Sequence, residues 1–195
     1  LEDRFPHALA NGEFHMYLQP KVALPERRIV GAEALVRWIS PEGMLCPNEF
    51  VPLFERDGVI AELDFYMFCQ VCALLKRWER EGRPLFCVSV NVSRSNFDVS
   101  DFFARYERHI AENQVPARYL EFEFTESVVF DRTDEINQVI RRIHALGARC
   151  SMDDFGSSYS SLNMLRSLEV DIIKLDQGFF LSLIHISEPT RHSLI

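Results

Sequence analysis

The stretch Leu120-Glu-Phe-Glu-Phe-Thr-Glu126 alternates between apolar and acidic residues. Because successive side chains of a strand point to opposite faces, this alternation predicts a strand with Glu121 and Glu123 together on one face. Burying unpaired carboxylates costs free energy, so a fold that turns two of them inward must neutralise them. A bound divalent cation would do so. The stretch therefore predicts a sheet with a charged, cation-binding face.

Four further runs show the same pattern of a short apolar strand with polar residues at alternate positions. The pairs expected to share a face are Glu33 with Arg37, Ser89 with Asn91, Ser151 with Asp153, and Lys174 with Asp176. Since these pairs belong to separate strands, they predict one shared site. Its oxygen ligands favour Mg²⁺ or Mn²⁺ over Zn²⁺.

The apolar residues between these runs follow helical periods. From Ile60 to Trp78 they recur at steps of three and four, and Gly82 follows them, which predicts a long amphipathic helix. Other helices are expected at 47–56, near 97–112, before Gly147 and at 160–167, and strands at 16–22, 28–38, 150–154 and 170–176. Such alternation of strands and helices favours a parallel sheet covered by helices.

We predict an α/β fold, an incomplete TIM-like (β/α) barrel, because such barrels collect reactive residues at the C-terminal ends of several strands. From the residues alone, a doubly wound open sheet is the alternative, although the sequence has no Gly-x-Gly-x-x-Gly or phosphate-loop motif. The link at 25–28 is too short for a parallel crossover, so the first two strands are expected to pair antiparallel.

The composition is that of a soluble globular domain, with 195 residues, 47% hydrophobic and 26% charged. No apolar run is long enough to span a membrane, and five cysteines, an odd number, fit reduced thiols. We therefore expect a cytoplasmic domain, whose parent protein could be membrane-anchored. Cys69 and Cys72 are expected to be free thiols within a helix. The net charge of −8 argues against binding long nucleic acid but not against a small dinucleotide.

The motifs also carry a resemblance when they are taken in chain order. They are Glu33-Ala-Leu35 with Arg37, Asn91-Val-Ser93, Glu123-Phe-Thr-Glu126, Asp153-Asp-Phe-Gly156 and Lys174-Leu-Asp176. This order resembles the EAL family of cyclic di-GMP phosphodiesterases over roughly residues 14–180. The resemblance implies a barrel with one antiparallel strand, hydrolysis of cyclic di-GMP to linear pGpG, and two Mg²⁺ or Mn²⁺ ions.

The resemblance also implies roles for individual residues. The implied metal ligands are Glu33, Asn91, Glu123, Asp153 and Asp154, the implied catalytic residues Lys174, Asp176 and Glu126, and the implied substrate contacts Gln19 and Arg37. Glu126 is expected to support the loop after Asp154. Taken singly, each motif has a plainer interpretation. Glu33 could be an exposed helical residue, Asn91 could belong to a turn, and Lys174 and Asp176 could form a structural ion pair.

Other functions stay open at this stage. One alternative is a degenerate EAL domain that binds cyclic di-GMP as a receptor without cleaving it, and another is an unrelated metal-dependent barrel hydrolase. A homodimer and an upstream GGDEF or sensory domain are further expectations. Ser158 stands where the family usually has a glycine, which puts loop-linked dimerisation and regulation in doubt.

The C-terminal stretch Leu181-Ser-Leu-Ile-His-Ile-Ser-Glu-Pro-Thr-Arg191 does not fit the family pattern. It resembles a translated transposon-end sequencing adapter. We therefore expect residues 1–180 to be an EAL domain that lacks its last two strands and a later catalytic glutamate, and 181–195 to be an adapter-derived tail. Such a fragment is expected to be inactive by itself.

Overall fold

The computed structural model describes residues 4–156 and 168–178. The strands are β1 (Phe14–Ala23), β2 (Arg28–Ser40), β3 (Gly43–Leu45), β4 (Cys87–Asn91), β5 (Leu120–Thr125), β6 (Arg149–Phe155) and β7 (Ile172–Leu175). The helices are α1 (Phe5–Ala10), α2 (Pro47–Arg56), α3 (Ile60–Arg80), α4 (Phe103–Glu112), α5 (Glu126–Asp131) and α6 (Thr133–Ala145), with 3-10 turns at Arg94–Asp98 and Ala117–Tyr119.

All seven strands belong to one mixed sheet, in the order β1-β2-β4-β5-β6-β7 with β3 beside β2. The β1–β2 and β2–β3 pairs are antiparallel, and every pair from β2–β4 to β6–β7 is parallel. The predicted α/β class and the antiparallel pairing of the first two strands are therefore confirmed.

The outer face of the sheet is apolar and is covered by helices. Val88, Val90, Phe122 and Met152 alternate with the polar residues of their strands and are almost fully buried. They join one core cluster with side chains from α3, α4 and α6. Burying each of these large side chains contributes about 1.5–3 kcal/mol. Because the helices bury the apolar side chains of the strands, that face of the sheet points outward and the polar residues face inward.

A second, aromatic cluster fastens the β1–β2 hairpin to α2. The ring centroids of Phe14, Trp38, Phe50 and Phe54 lie 5.1–6.2 Å apart. The Trp38 Nε1–H donates to a carboxylate oxygen of Glu13 at 2.8 Å, so the polar edge of the buried indole is satisfied. This cluster holds the strand that carries the Glu-Ala-Leu motif.

The sheet is strongly curled. Lys174 Nζ on β7 lies 3.0 Å from Glu33 Oε2 on β2, although three strands separate β2 from β7. Four strand spacings in a flat sheet would span roughly 19 Å, so these strands enclose the polar face as the wall of a barrel does. Gly31 allows close approach within this wall, because a Cβ at that position would lie 2.8 Å from the Cys87 carbonyl oxygen.

Several predicted elements differ in detail. The helix expected near 97–112 begins only at Phe103, because residues 94–98 form a separate 3-10 turn. Helices α1 and α5 and strand β3 were not predicted; each has six residues or fewer, too few for a clear period. The helix at 160–167, Ser158 and the tail from 181 lie outside the described residues. Among those described, no helix is long and apolar enough to cross a membrane.

Candidate active site

Three carboxylates from three strands converge inside the curled sheet. One oxygen each of Glu33, Glu123 and Asp153 lies within 4.8 Å of the others. The ammonium of Lys174 binds all three, at 3.0 Å from Glu33, 2.9 Å from Glu123 and 2.6 Å from Asp153. The strand register explains the convergence, since Asn91 pairs with Glu123 and Thr125 with Asp153 at the C-terminal ends of β4, β5 and β6.

A second set of charged side chains contacts this group through Glu123. Lys21 Nζ donates to Glu121 at 2.9 Å and to the second oxygen of Glu123 at 2.8 Å. Ser151 Oγ donates to Glu121 at 2.8 Å. Each Glu123 oxygen therefore accepts from a different lysine, which fixes the orientation of this carboxylate. Lys21 was not among the predicted site residues, and Glu121 was predicted only to share the inner face with Glu123.

The pKa shifts follow from burial and from these ion pairs. Burial opposes ionisation of Glu123, but the hydrogen bonds from Lys21 and Lys174 outweigh it and hold the pKa of Glu123 below its usual value. Burial likewise opposes the charge of Lys174, yet its carboxylate partners raise its pKa. Glu123 is therefore anionic, and Lys21 and Lys174 are cationic, at neutral pH.

Three of the predicted residues surround the three-carboxylate group without joining it. Asn91 Nδ2 donates to Glu33 at 3.4 Å, and Asp176 accepts from the Gly178 N–H at 2.8 Å. Asp154 is exposed at the end of β6, and burial together with the charges of Asp153 and Asp176 raises its pKa. A nearby cation would stabilise the ionised form of Asp154.

Glu126 supports the loop that follows Asp154. This residue begins α5, is 1% exposed, and accepts the Gly156 N–H at 2.8 Å. Asp154 adopts φ 57°, in the left-handed region, which costs a non-glycine residue about 1 kcal/mol. The Glu126 contact helps to hold this strained turn at Gly156, and the supporting role of Glu126 for the loop stays a prediction.

The two predicted substrate contacts lie on β1 and β2. Gln19 is exposed and pairs with Glu33 across the antiparallel strands, so both side chains share the inner face. Arg37 follows Glu33 by four residues on that face, donates to the Val36 carbonyl at 2.7 Å, and lies over the Tyr17 ring at 5.7 Å. Both side chains therefore flank the carboxylates on the hairpin side.

A cavity of about 250 Å³ opens beside Glu123, between α2, α3, the middle of β2 and the C-terminal ends of β4 and β5. Its walls are largely apolar, and its polar residues are Glu55, Asp64, Asn91, Ser93, Glu123 and Thr125. Ligand sites commonly combine apolar walls with a few placed polar groups. The cavity therefore offers an apolar surface with a few polar groups directly beside Glu123.

Asp64 organises the loop after Asn91 and was missed by the sequence reasoning. One of its oxygens accepts both the Ser93 N–H and the Asn96 Nδ2–H at 2.8 Å. Burial raises the pKa of Asp64 to about 6, despite these hydrogen bonds. Asp64 appears in the sequence as one polar residue of a helical period, so only the packing of α3 against this loop reveals it.

We expect Asp64→Asn to change how stability depends on pH. Because its folded-state pKa is raised, protonation of Asp64 stabilises the fold at low pH, and this stabilisation is lost as the pH rises through about 6. Between pH 5 and pH 7.5, the free energy of unfolding of the wild type should therefore fall by about 1.5 kcal/mol relative to that of Asp64→Asn. Urea denaturation at both pH values measures the gap, with exposed Asp98→Asn as control. A gap that does not change with pH would contradict the expectation.

A comparison with known families then identifies the chain. The family model described as "EAL domain" matches residues 2–192. The chain belongs to the EAL domain family. The resemblance drawn from the motifs is thereby confirmed.

Two curated relatives of this EAL domain are named as cyclic di-GMP phosphodiesterases. The cyclic di-GMP phosphodiesterase PA2567 of Pseudomonas aeruginosa is 38% identical over 167 residues, which cover 85% of this chain and 28% of the relative. The cyclic di-GMP phosphodiesterase NbdA of the same organism is 32% identical over 184 residues, covering 94% of this chain and 24% of the relative. The EAL domain thus spans about a quarter of the length of these relatives.

Solved structures agree with the fold. The PaMucR phosphodiesterase in its c-di-GMP complex superposes with a TM-score of 0.85 at 29% identity, covering 94% of this chain and 75% of that one. The FimX EAL domain matches with a TM-score of 0.83, but at 21% identity it supports the fold alone. The sheet of this EAL domain is therefore that of the TIM-like barrels in its family.

Proposed function

We propose that this EAL domain hydrolyses one phosphodiester bond of cyclic di-GMP and releases linear pGpG, with Mg²⁺ or Mn²⁺ as cofactor. The observation that carries the proposal is the convergence of Glu33, Glu123 and Asp153 on one point that a cation already occupies, the Lys174 ammonium. The relatives named as cyclic di-GMP phosphodiesterases support this choice of substrate.

The residues fit a divalent cation. All three converging donors are carboxylate oxygens, the ligands that Mg²⁺ and Mn²⁺ prefer. We assign Glu33, Glu123, Asp153 and Asn91 to one ion, and Asp154, which follows Asp153 directly, to a second. A divalent ion held there would supply a nucleophile from water at neutral pH and neutralise charge on the phosphodiester.

The other residues of the site bind and orient in this proposal. Lys174 has a long, flexible side chain, so its ammonium can exchange its carboxylate contacts for a phosphate oxygen. Arg37 presents a planar guanidinium with paired donors to the second phosphate, and Gln19 lies on the same inner face. The cavity between α2 and α3 would take a guanine base. Asp176 would lie close to the ions, while Glu126 holds the turn at Asp154.

We further propose that the domain acts in the bacterial cytoplasm, which agrees with its five free cysteines. The homodimer and the upstream GGDEF or sensory domain stay predictions.

The test is a hydrolysis assay on the full-length gene product that contains this chain. We expect cyclic di-GMP to be converted to pGpG in Mg²⁺ or Mn²⁺, as followed by chromatography, and EDTA to abolish the conversion. Binding of cyclic di-GMP, measured by calorimetry without any conversion in either metal, would support the receptor alternative instead. Absence of both binding and conversion would contradict the proposal.

A further inference from the structure

A second group of potential metal ligands lies outside the curled sheet. His144 ends the last turn of α6, Cys150 belongs to β6, and Asp171 precedes β7. Cys150 is fully buried on the outer face, while the other two side chains are each about one third exposed. Cys150 precedes Asp153 by three residues and faces the other side of the sheet, so the group is separate from the active site.

The donor atoms of the three side chains are close enough to share one ion. His144 Nε2 lies 3.0 Å from Asp171 Oδ2 and 3.8 Å from Cys150 Sγ. Cys150 Sγ lies 3.5 Å from the same Asp171 oxygen. Zinc bonds of 2.0–2.3 Å in a tetrahedron place neighbouring ligand atoms roughly 3.3–3.6 Å apart. Shifts of a few tenths of an ångström would therefore bring all three donors onto a common centre.

The chemistry of the three donors selects a different metal from that of the active site. A thiolate, an imidazole and a carboxylate form the mixed set that suits Zn²⁺, whereas Mg²⁺ prefers oxygen donors alone. Thiolate and carboxylate together carry two negative charges, which a divalent ion balances. The exposed side, between His144 and Asp171, would admit a water as the fourth ligand.

The surrounding backbone supports this arrangement. The Cys150 N–H donates to Asp171 Oδ2 at 2.8 Å, and the Asp171 N–H donates to the Cys150 carbonyl at 3.0 Å. These two bonds hold the carboxylate against the thiol before any ion binds. Outer hydrogen bonds of this kind orient metal ligands.

We propose that His144, Cys150 and Asp171 form a Zn²⁺ site on the outer surface of the sheet, at the end opposite the carboxylate site. Binding would replace the Cys150 thiol proton with the metal ion and release that proton to solvent. The ion would tie α6 to β6 and to the start of β7. It would thereby link the two ends of the segment 150–171, which carries Asp153, Asp154 and Gly156.

The test uses Co²⁺ as a spectroscopic substitute for Zn²⁺, in excess Mg²⁺ so that the carboxylate site is filled. Co²⁺ bound by a thiolate gives a charge-transfer band in the near ultraviolet, which oxygen ligands do not give. We expect this band in the wild-type protein, its removal by added Zn²⁺, and its loss in Cys150→Ala and His144→Gln. Zn²⁺ should also raise the melting temperature of the wild type by about 5–10 °C at 100 times its Kd.

Cys69→Ala is the matched control, because Cys69 Sγ also lies 3.8 Å from a histidine nitrogen, that of His109. The band should persist in this variant. No band in the wild type, persistence of the band in Cys150→Ala, or its loss in Cys69→Ala would overturn the proposal. His144→Gln changes a partly exposed side chain, so it keeps the test decisive if Cys150→Ala does not fold.

Discussion

Asp153→Asn is expected to lower the rate of cyclic di-GMP hydrolysis at least about 1000-fold. The substitution keeps the size of the side chain but removes one of three charges that would hold the ion, and a 1000-fold loss corresponds to about 4 kcal/mol of barrier. The nucleophile that the metal ion would generate from water is expected to lower the activation barrier by more than this. Steady-state kinetics in saturating Mn²⁺ measure kcat, and calorimetry measures the affinity for Mn²⁺, which should fall in parallel.

Asp131→Asn provides the matched control for this change. Asp131 is an exposed aspartate paired with Arg94 on the surface, so its replacement should leave kcat and the affinity for Mn²⁺ close to wild type. If Asp153→Asn retained more than a tenth of the wild-type rate, the assignment of Asp153 as a metal ligand would be wrong.

Lys174→Ala is expected to destabilise the metal-free protein strongly and the metal-loaded protein much less. Without the ammonium, Glu33, Glu123 and Asp153 face one another with no cation at their centre, and Glu123 has a fully buried side chain. Removing one partner of a buried pair typically costs 3–5 kcal/mol. Since Lys174 is itself 26% exposed, we expect a loss of about 2–4 kcal/mol in the free energy of unfolding in EDTA.

Urea denaturation with EDTA and with Mn²⁺ separates this effect from a general packing defect. Mn²⁺ should recover most of the lost stability, because the ion neutralises the same three carboxylates. Hydrolysis should stay low, since the proposed phosphate contact is gone. Lys76→Ala, which removes a surface pair with Glu79, should change stability little in either condition. Equal destabilisation by Lys174→Ala in both conditions would contradict the shared position of lysine and metal.

Much of the site could be predicted because strand alternation is a local property. Glu123 must face away from Phe122 and Phe124, and the outer core requires these phenylalanines. The same reasoning placed Glu33 and Asp153 on inner faces, and parallel pairing then brought the strand ends together. Local pattern and global fold agree here, so no tertiary information was needed.

The contacts that were missed depend on tertiary packing. Lys21 lies in β1, and its partners Glu121 and Glu123 lie in β5, three steps across the sheet. No local spacing in the sequence indicates that contact. Cys150 was treated as one of several reduced thiols for the same reason, because His144 and Asp171 reach it only when α6 and β7 are in place.

The lysine contacts across the sheet also bear on how the chain folds. Lys21 and Glu121 are 100 residues apart, and Lys174 and Glu33 are 141 apart. Contacts of such high sequence separation require the closure of long loops and form slowly. Until β7 arrives, the inner carboxylates lack Lys174 and favour staying hydrated over being buried. We therefore expect the helix-covered outer core to assemble first. The inner carboxylates should remain hydrated until late in folding. The site should therefore form only when the strands that enclose it have nearly all paired.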